Sequence, residues 1–473
     1  MAGVNERQGS LDDALGAAIN HATRWLDTYP DRRVPASGGA DDAAGRLGRE
    51  LAEDGMDPRV AIDTLAAAVE PGLMASGSSR FFGWVMGGTL PAALAADWLV
   101  SAWDQNAGMR DSTPGVVAVE EVAASWILQL LGLPAASGVG FTTGATMASF
   151  ACLAAGRDSV LLDVGWAVAS AGLAGAPPVR VYVGEEGHGS VDLALRYLGL
   201  GAADRIGVDG QGRMLPALLE RALARQSGAS PAIVCLQAGN IHSGAFDPFA
   251  ELIAIAHSHG AWVHIDGAFG LWAAASPMLA PLVAGFEGAD SWATDAHKTL
   301  NTPYDGGIAV VLAQDRMRAA LGIHASYLLE ASTVDPYELV PELSRRARGV
   351  PVWAALASLG RSGVARLVDG LAQAARAIAE ELDEVGGVEV LNEVVYTQVC
   401  IACRTDEVTR AVHGAILAEG TIMPSLSEWR ERAVIRFSVS SWRTGPTAVR
   451  DAVDAVARAV RVVAGGPPST QPS

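Results

Sequence analysis

The hydrophobic and polar positions of the chain change their period along the sequence. Between about residues 111 and 365, short β-branched runs alternate with stretches whose apolar residues recur at helical spacing. The runs that predict strands are SVLLDVG, RVYVGEE, AIVCLQAG, AWVHIDGAF and GIAVVLA, and the predicted helices include VEEVAASWILQLLGLP and ELIAIAHSHG. Strands that alternate with helices predict a mostly parallel sheet with helices on both faces. Residues 111–365 are therefore predicted to form a large α/β domain.

Two further regions flank this domain. Residues 1–110 have helical spacing in LDDALGAAINHATRWLDTY and RVAIDTLAAAVEPG, which predicts an N-terminal helical segment broken by loops. Residues 366–464 begin with a long helical pattern, LVDGLAQAARAIAEELDEV, and end with another, TAVRDAVDAVARAVRVVA. The strands predicted between them are VEVLNE, TQVCIAC and AVIRFSVSSW. This order predicts a smaller α+β domain, and the tail 465–473 is predicted to be disordered.

The composition narrows the class of protein. A chain of 473 residues with 50% hydrophobic and 18% charged residues predicts two or three folded domains. The net charge of −18 argues against a nucleic-acid partner, because phosphate contacts need a basic surface. The polar N-terminus does not resemble a signal peptide, and the apolar stretch LPAALAADWLVSAW is too short to span a bilayer. We therefore expect a cytoplasmic protein with no membrane partner.

The cysteines and most of the histidines predict neither disulfides nor a metal site. Four cysteines in a chain of this length are no disulfide framework. Cys400 and Cys403 have the CxxC spacing, but they lie in an apolar run and are interpreted as buried strand thiols rather than a metal or redox site. His264 and the pair His257 and His259 fit no paired ligand pattern, so no metal is predicted.

Lys298, in DSWATDAHKTLNTPYDGG, differs from every other basic position. The chain has 34 lysines and arginines, and only Lys298 is a lysine. A general preference for arginine explains the absence of other lysines but not the presence of this one. A guanidinium stays protonated, whereas a desolvated amine can lose its proton and attack a carbonyl to form a Schiff base. Lys298 is therefore the leading catalytic candidate.

Asp266 ends the strand predicted for AWVHIDGAF, at the edge where open α/β sheets bind ligands. Lys298 follows after one more short apolar segment, so both side chains can reach one crevice. A carboxylate opposite a Schiff-base lysine is the arrangement that pyridoxal phosphate needs, because the carboxylate keeps the pyridine nitrogen protonated. Taken alone, Asp266 would be interpreted as a helix cap or an ion-pair partner.

A phosphate site is predicted in GFTTGATMASFACLAAGR. The loop with Thr143, Ala145 and Thr146 runs into an apolar helix, whose free N–H groups and nearby hydroxyls can bind an anion. A Gly-Thr loop alone is often only a turn. His188 follows a predicted strand and can lie on a cofactor ring or cap a helix. His297, directly before the lysine, can bind phosphate or point away.

These motifs resemble the pyridoxal-phosphate-dependent group II amino-acid decarboxylases, which include aromatic amino-acid, glutamate and tyrosine decarboxylases. The His-Lys pair at 297–298, His-Ile-Asp-Gly-Ala at 264–268, the loop 142–146 and His188 occur in the family's order. The resemblance implies an α/β fold of the aspartate-aminotransferase type (fold type I), with a mostly parallel seven-stranded sheet and a smaller C-terminal α+β domain. It also implies a homodimer with the active site at the subunit interface.

The resemblance also implies roles for single residues. Lys298 would form the Schiff base, Asp266 would pair with the pyridine nitrogen, and His188 would stack on the ring. Ala268 would touch the other face of the ring, and Asn240 would lie near the cofactor. The residues implied to hold the phosphate are Ala145, Thr146 and His297. The positions that depart from the family pattern are Val117, Met147 and Thr299.

Several reactions are open to an amino acid bound to this cofactor, and the residues that orient the substrate select among them. The resemblance favours decarboxylation of an L-amino acid to its amine. Phe82 and Trp84 suggest an apolar wall for an aromatic or bulky substrate, and a structural role explains them equally. Tyr337, in the predicted loop 331–349, is either a catalytic proton donor or a packed surface tyrosine. The alternatives are a carbon–carbon lyase, an aminotransferase or an aldehyde-forming enzyme, and a non-enzymatic cofactor-binding protein.

Overall fold

The structure is a computed structural model that describes residues 11–225, 230–323 and 334–465. The helices are α1 (Leu11–Asp27), α2 (Ala40–Leu47), α3 (Pro58–Val69), α4 (Pro91–Trp103), α5 (Pro114–Leu131), α6 (Ala145–Asp163), α7 (Val168–Ala171), α8 (Gly189–Tyr197), α9 (Pro216–Ala224), α10 (Phe249–Ser258), α11 (Gln314–Leu321), α12 (Gly349–Asp383), α13 (Asp406–Glu419) and α14 (Pro446–Ala464). The strands are β1 (Phe81–Phe82), β2 (Gly138–Thr142), β3 (Arg180–Gly184), β4 (Asp204–Ile206), β5 (Ala232–Gln237), β6 (Trp262–Asp266), β7 (Ser291–Asp295), β8 (Gly307–Val311), β9 (Val388–Val390), β10 (Gln398–Cys403), β11 (Met423–Trp429) and β12 (Arg432–Ser438).

The larger sheet has seven strands in the order β2-β8-β7-β6-β5-β3-β4. Strands β7, β6, β5, β3 and β4 are parallel, and β8 runs antiparallel to both of its neighbours. Helices α6, α8 and α11 share an apolar core with one face, and α5, α9, α10 and α12 share one with the other. Because both faces are covered, the central strands β6 and β7 are buried along their whole length. The predicted mostly parallel seven-stranded sheet is confirmed.

The smaller sheet has five strands in the order β1-β11-β12-β10-β9. Helices α12, α13 and α14 pack their apolar faces against it. Four of its strands are antiparallel and come from the predicted C-terminal α+β domain, whereas β1 comes from the N-terminal segment and pairs with β11 in parallel. Cys400 and Cys403 lie in β10 and are buried, as predicted for strand thiols.

The structure differs from the sequence prediction at several elements. The segment SVLLDVG was predicted as a strand, and this is wrong, because most of it forms the last turns of α6. Its apolar residues continue the helical spacing of the alanine-rich sequence before them. Strands β1, β2, β4, β7 and β11 were not predicted as strands. The predicted domain boundary at 365 lies inside α12, which is interrupted at Gly360 with φ of 61°. Residues 331–333 of the predicted loop and residues 466–473 of the tail lie outside the described residues.

Among the described residues, α5 is the one helix that is long and apolar enough to cross a bilayer by length and composition. This is weak evidence for a membrane span, because a core helix of a soluble protein passes the same test. Glu120 on α5 forms an ion pair with Arg345 inside the protein, and several apolar residues of the helix pack in the core of the large domain. The packing therefore accounts for the apolar character of α5.

Candidate active site

The carboxyl ends of the parallel strands meet at one edge of the large sheet. Strand β6 ends at Asp266, β7 ends at Asp295, and the turn after β7 carries Lys298. This edge opens into a cavity of about 390 Å³. The cavity is lined by Thr143, Gly144, Ala145, Thr146, Met147, His188, Ser190, Gln237, Gly239, Ile241, Asp266, Ala268, Phe269, Asp295, His297, Lys298 and Tyr304. The topology thus brings the predicted lysine, carboxylate and phosphate loop into one site.

Lys298 forms an ion pair inside this cavity. Its Nζ lies 3.0 Å from Oδ2 of Asp295, and the Asp295 side chain is only 4% exposed. The other carboxylate oxygen of Asp295 accepts the backbone N–H of Ala145 at 2.6 Å, where α6 begins. The Asp295 carboxylate therefore connects the lysine to the start of the helix.

Asp266 is the second carboxylate of the cavity. Its Oδ1 accepts the N–H of Ala268 at 3.1 Å, and the residue is buried. Burial raises the pKa of Asp266, whereas the charges of His188 and Lys298 act in the opposite direction. A buried carboxylate with these neighbours can pair with a positively charged nitrogen of a ligand.

The loop before α6, which was predicted to form an anion cradle, borders the cavity. Thr143, Ala145 and Thr146 all line the cavity, and the first N–H groups of a helix have no partners within the helix. The backbone of β8 lies directly behind this loop, because a Cβ at Gly307 would come within 2.4 Å of the carbonyl carbon of Gly144. Any side chain at position 307 would displace the loop, so glycine is required there.

Two histidines line the cavity. His188 precedes α8, and its Nδ1 accepts the N–H of Ser190 at 3.2 Å. It therefore caps a helix, which is one of the two roles considered for it from sequence, and it also borders the cavity. The ring of His297 lies 4.2 Å from the ring of Tyr304, and its Nδ1 accepts the N–H of Gly306 at 3.2 Å. Burial lowers the pKa of His297, so its imidazole is neutral at neutral pH.

Asn240 does not line the cavity, although it was predicted to lie near the cofactor. It is fully buried, and its Oδ1 accepts two backbone N–H groups of the turn that follows β5. Its Nδ2 donates to Glu186 at 3.2 Å. The side chain thus stabilises a turn, while Gln237 and Ile241 on either side of it border the cavity.

Three more predicted residues lie away from the cavity of their own chain. Phe82 is fully buried and packs on Phe437 in the core beside the small sheet, with ring centroids 5.5 Å apart. Trp84 is 47% exposed and is absent from the cavity lining. Tyr337 is buried in the short 3-10 turn Pro336–Glu338 and does not border the cavity either. The apolar wall suggested by Phe82 and Trp84 is therefore not part of the described cavity.

The sequence analysis missed several residues that line the cavity, although the sequence pattern could have indicated some of them. Gln237 ends β5, so the rule that selected Asp266 at the end of β6 would also have selected it. Asp295 lies in the same TDAHK motif as the lysine. Ser190 and Phe269 are neighbours of residues that were selected. Tyr304 had no signal, because only the turn after the lysine places its ring against His297.

The cavity offers the groups that a phosphorylated pyridine aldehyde requires. Lys298 has a primary amine for the aldehyde, Asp266 has a buried carboxylate for the ring nitrogen, and the start of α6 has N–H groups for the phosphate. The fold and this donor set define the class of pyridoxal-phosphate enzymes.

A family model places the chain within this class. The family described as pyridoxal-dependent decarboxylase conserved domain matches residues 51–404, which is about three quarters of the chain. The chain belongs to this family, and pyridoxal phosphate is its cofactor.

Individual relatives agree with the family. The chain is 28% identical over 331 residues to acidic amino acid decarboxylase GADL1 of Mus musculus, a match that covers 68% of this chain and 59% of that protein. The chain therefore spans less than two thirds of the length of GADL1. It is 25% identical over 418 residues to an aromatic-L-amino-acid decarboxylase of Bacillus atrophaeus, covering 84% of this chain and 85% of that protein.

A solved structure confirms the fold. TDC from Oryza sativa, crystallised with PLP and tryptamine, matches with a TM-score of 0.89 at 22% identity. The match covers 96% of this chain and 98% of that one. The predicted fold type I architecture is confirmed over nearly the whole chain.

Proposed function

We propose that the protein is a pyridoxal-phosphate-dependent carboxy-lyase that converts an L-amino acid to its amine and carbon dioxide. The observation that carries this proposal is the shared cavity of Lys298 and Asp266, at the carboxyl edge of the large sheet. Membership of a pyridoxal-dependent decarboxylase family supports the reaction class.

The cavity residues divide the chemical work among them. When bound, pyridoxal phosphate supplies an aldehyde that condenses with amines and a ring that accepts the electron pair of a broken bond. Lys298 would contribute the amine, and the ammonium that pairs with Asp295 would first have to release a proton to solvent before its Nζ could condense with the aldehyde. Asp266 would keep a positive charge on the ring nitrogen.

The remaining walls orient the bound groups and keep water away from them. His188 and Ala268 line the cavity and would hold the two faces of the ring, as the family resemblance implies. The residues that would hold the phosphate are Thr143, Ala145, Thr146 and His297. For decarboxylation, these walls would have to orient the substrate so that the bond to its carboxylate is perpendicular to the ring plane.

We favour an aromatic or bulky amino acid as the substrate. Phe82 and Trp84 do not support this preference, because neither lines the cavity. The preference for an aromatic or bulky substrate rests on Ile241, Phe269 and Tyr304, which give the cavity apolar and aromatic walls. Lys298, which is committed to the cofactor, is the only lysine or arginine on the described lining.

An acidic substrate is the second candidate, because the chain is similar to an acidic amino acid decarboxylase. The residue to test for it is Arg436, which is buried but lies outside the described cavity lining. Arg436 is 6% exposed, and its Nη2 donates to the carbonyl of Trp84 at 3.1 Å. Its Nε has no hydrogen-bond partner, and no carboxylate forms an ion pair with it within the part of the chain that the structure describes. Burial lowers the pKa of Arg436, and a bound carboxylate would restore the stability of its charge.

A substrate screen tests the reaction and the substrate class together. Purified protein loaded with pyridoxal phosphate would be incubated with single L-amino acids, and carbon dioxide, amine, aldehyde and 2-oxo acid would be measured. Equal amounts of amine and carbon dioxide support decarboxylation, whereas aldehyde or 2-oxo acid as the main product would support the alternatives. The Lys298→Ala variant is the control for catalysis by the cofactor in solution.

The same screen separates the two substrate classes. If the substrate is acidic, Arg436→Met should lower kcat/KM for it about 100-fold, because a desolvated charge pair is lost. If the substrate is aromatic, the same variant should change kcat/KM by less than about threefold. Loss of activity on every substrate would show a structural role for Arg436.

Two further proposals concern the assembly and the location of the protein, and a third concerns Tyr337. We propose a homodimer with the active site at the interface, which analytical ultracentrifugation of the full chain would test. We also propose that the protein is cytoplasmic, which fractionation of the source cells would test.

For Tyr337, a catalytic role requires the ring to leave its buried position. Tyr337→Phe should then lower kcat without lowering cofactor binding, and unchanged kcat would exclude this role.

A further inference from the structure

The carboxylate of Asp295 lies at the start of α6, where the phosphate is proposed to bind. Oδ1 of Asp295 accepts the N–H of Ala145 at 2.6 Å, so this carboxylate uses one of the donors that a phosphate would use. Oδ2 of Asp295 lies 3.0 Å from Nζ of Lys298 and 3.6 Å from Nε2 of His297. The carboxylate is 4% exposed, so little water screens its charge.

Once Lys298 leaves its ion pair to react, no cation that the structure describes compensates the charge of the Asp295 carboxylate. Asp266 is a second carboxylate in the same cavity, and each carboxylate raises the electrostatic cost of the other. Burial lowers the pKa of His297, so its imidazole gives no positive charge at neutral pH. Tyr304, the other titratable group beside it, has its pKa raised to about 12 and stays neutral. Lys298 is then the one cation that the structure shows within 4.0 Å of Asp295 at neutral pH.

Loading the cofactor changes this balance at two points. The phosphate brings negative charge to the helix start, where the Asp295 carboxylate already lies. The Lys298 amine must leave its ion pair in order to react. Both changes leave a buried carboxylate beside another anion with less positive charge nearby, which costs free energy in a poorly hydrated site.

We propose that Asp295 weakens the hold of this protein on the phosphate group of its cofactor. Asp295 acts as a positioning residue at the start of α6, where the phosphate would bind, and it keeps exchange between the free and cofactor-bound forms easy. The inference rests on the proposed function, because it takes pyridoxal phosphate to bind in this cavity.

Cofactor titration of the apoprotein tests this role without measuring activity. Pyridoxal phosphate and pyridoxal, which lacks the phosphate, would be titrated into apoprotein, and binding would be followed by absorbance of the bound cofactor. Asp295→Asn keeps an oxygen for the Ala145 N–H and removes the charge. It should lower the Kd for pyridoxal phosphate about tenfold or more, which is about 1.4 kcal/mol at 25 °C.

The matched control lies at the other end of the same strand. Asp290 directly precedes β7, accepts the N–H of Val263 at 2.7 Å and contacts His257 at 3.0 Å, so it has the same kinds of partner far from the cavity. Asp290→Asn should leave both Kd values within about threefold of wild type. Asp295→Asn should change the Kd for pyridoxal by less than about threefold as well.

The outcomes separate this inference from the proposed function. If wild-type protein binds neither compound, the proposed function fails. If wild-type protein binds pyridoxal phosphate and Asp295→Asn binds it equally or more weakly, only this inference is overturned. Equal gains for both compounds would also overturn it, since the lysine ion pair alone would then explain the effect. Asp295→Ser, a second neutral variant, serves if the asparagine variant does not fold.

Discussion

The ion pair between Glu120 and Arg345 fixes the segment before α12 to the large domain. The Arg345 side chain is fully buried and that of Glu120 is 4% exposed, and their closest nitrogen and oxygen atoms lie 2.6 Å apart. Arg345 also donates to the carbonyls of Ala107 at 2.7 Å and Phe141 at 3.0 Å. Glu120 accepts the N–H of Gly349 at 2.8 Å. Removal of one partner therefore leaves a buried charge and several unpaired groups.

The expected cost follows from these contacts. Glu120→Gln leaves the guanidinium uncompensated and turns an amide N–H₂ toward it, so we expect a loss of about 3–5 kcal/mol in the free energy of unfolding. Arg345→Met should cost about the same. It leaves the Glu120 carboxylate buried and also frees the two carbonyls that Arg345 binds. The double variant Glu120→Leu with Arg345→Met buries no charge, so its cost should be at least about 2 kcal/mol smaller than the sum of the two single costs.

Urea denaturation followed by circular dichroism and tryptophan fluorescence measures these differences, under conditions where both signals share one transition. The control is Glu389→Gln, which breaks an exposed ion pair with Arg432 and should have no measurable effect. The reasoning is refuted if Glu120→Gln stays within about 1 kcal/mol of wild type, or if the single costs simply add in the double variant.

Four further changes test the site and its surroundings. Lys298→Arg keeps the charge but removes the amine, so borohydride reduction should leave no pyridoxyl adduct on peptide 290–307, and an adduct there would contradict this. Asp266→Asn should still bind the cofactor but lower kcat at least about 100-fold in steady-state assays. Asn240→Ala should leave the Kd for the cofactor within about threefold of wild type in the absorbance titration, because its amide binds Glu186 and the turn. Burial lowers the pKa of His264 to about 3. The His264 imidazole takes up a proton near pH 6.5 in the unfolded chain but not in the folded chain, so the free energy of unfolding should fall by up to about 1.4 kcal/mol for each pH unit below 6.5. In denaturation experiments at pH 5 and pH 8, the His264→Gln variant should show a smaller difference in the free energy of unfolding.

The residues that the sequence placed correctly share a topological reason. Asp266 and Lys298 follow successive parallel strands, so a parallel sheet brings them to the same edge whatever the details of packing. Thr143, Ala145 and Thr146 reach the same cavity because β2 ends beside β8 and α6 starts there. The placement of Asp266 depends on the direction of β6, which the alternation of strands and helices predicts, whereas β2 was not predicted and its loop was selected from the Gly-Thr motif.

The residues that lie elsewhere depend on side-chain direction within a turn or a core. Asn240 lies between two lining residues, but the turn after β5 uses its side chain for backbone contacts. Phe82 belongs to a strand of only two residues that pairs with β11 in the small sheet, and its ring fills that core. Strand β11 was not predicted, so nothing in the sequence pattern could place Phe82 there.

The single lysine identifies the site, but the charge of the site depends on more than the lysine. Two buried carboxylates, Asp266 and Asp295, face Lys298, and the neighbouring His297 is neutral. Asp266 lies where a cofactor ring needs a negative charge, whereas Asp295 lies at a helix start, where a phosphate would supply that charge itself. If Asp266 strengthens cofactor binding and Asp295 opposes it, as proposed above, the affinity for pyridoxal phosphate depends on both of these charges.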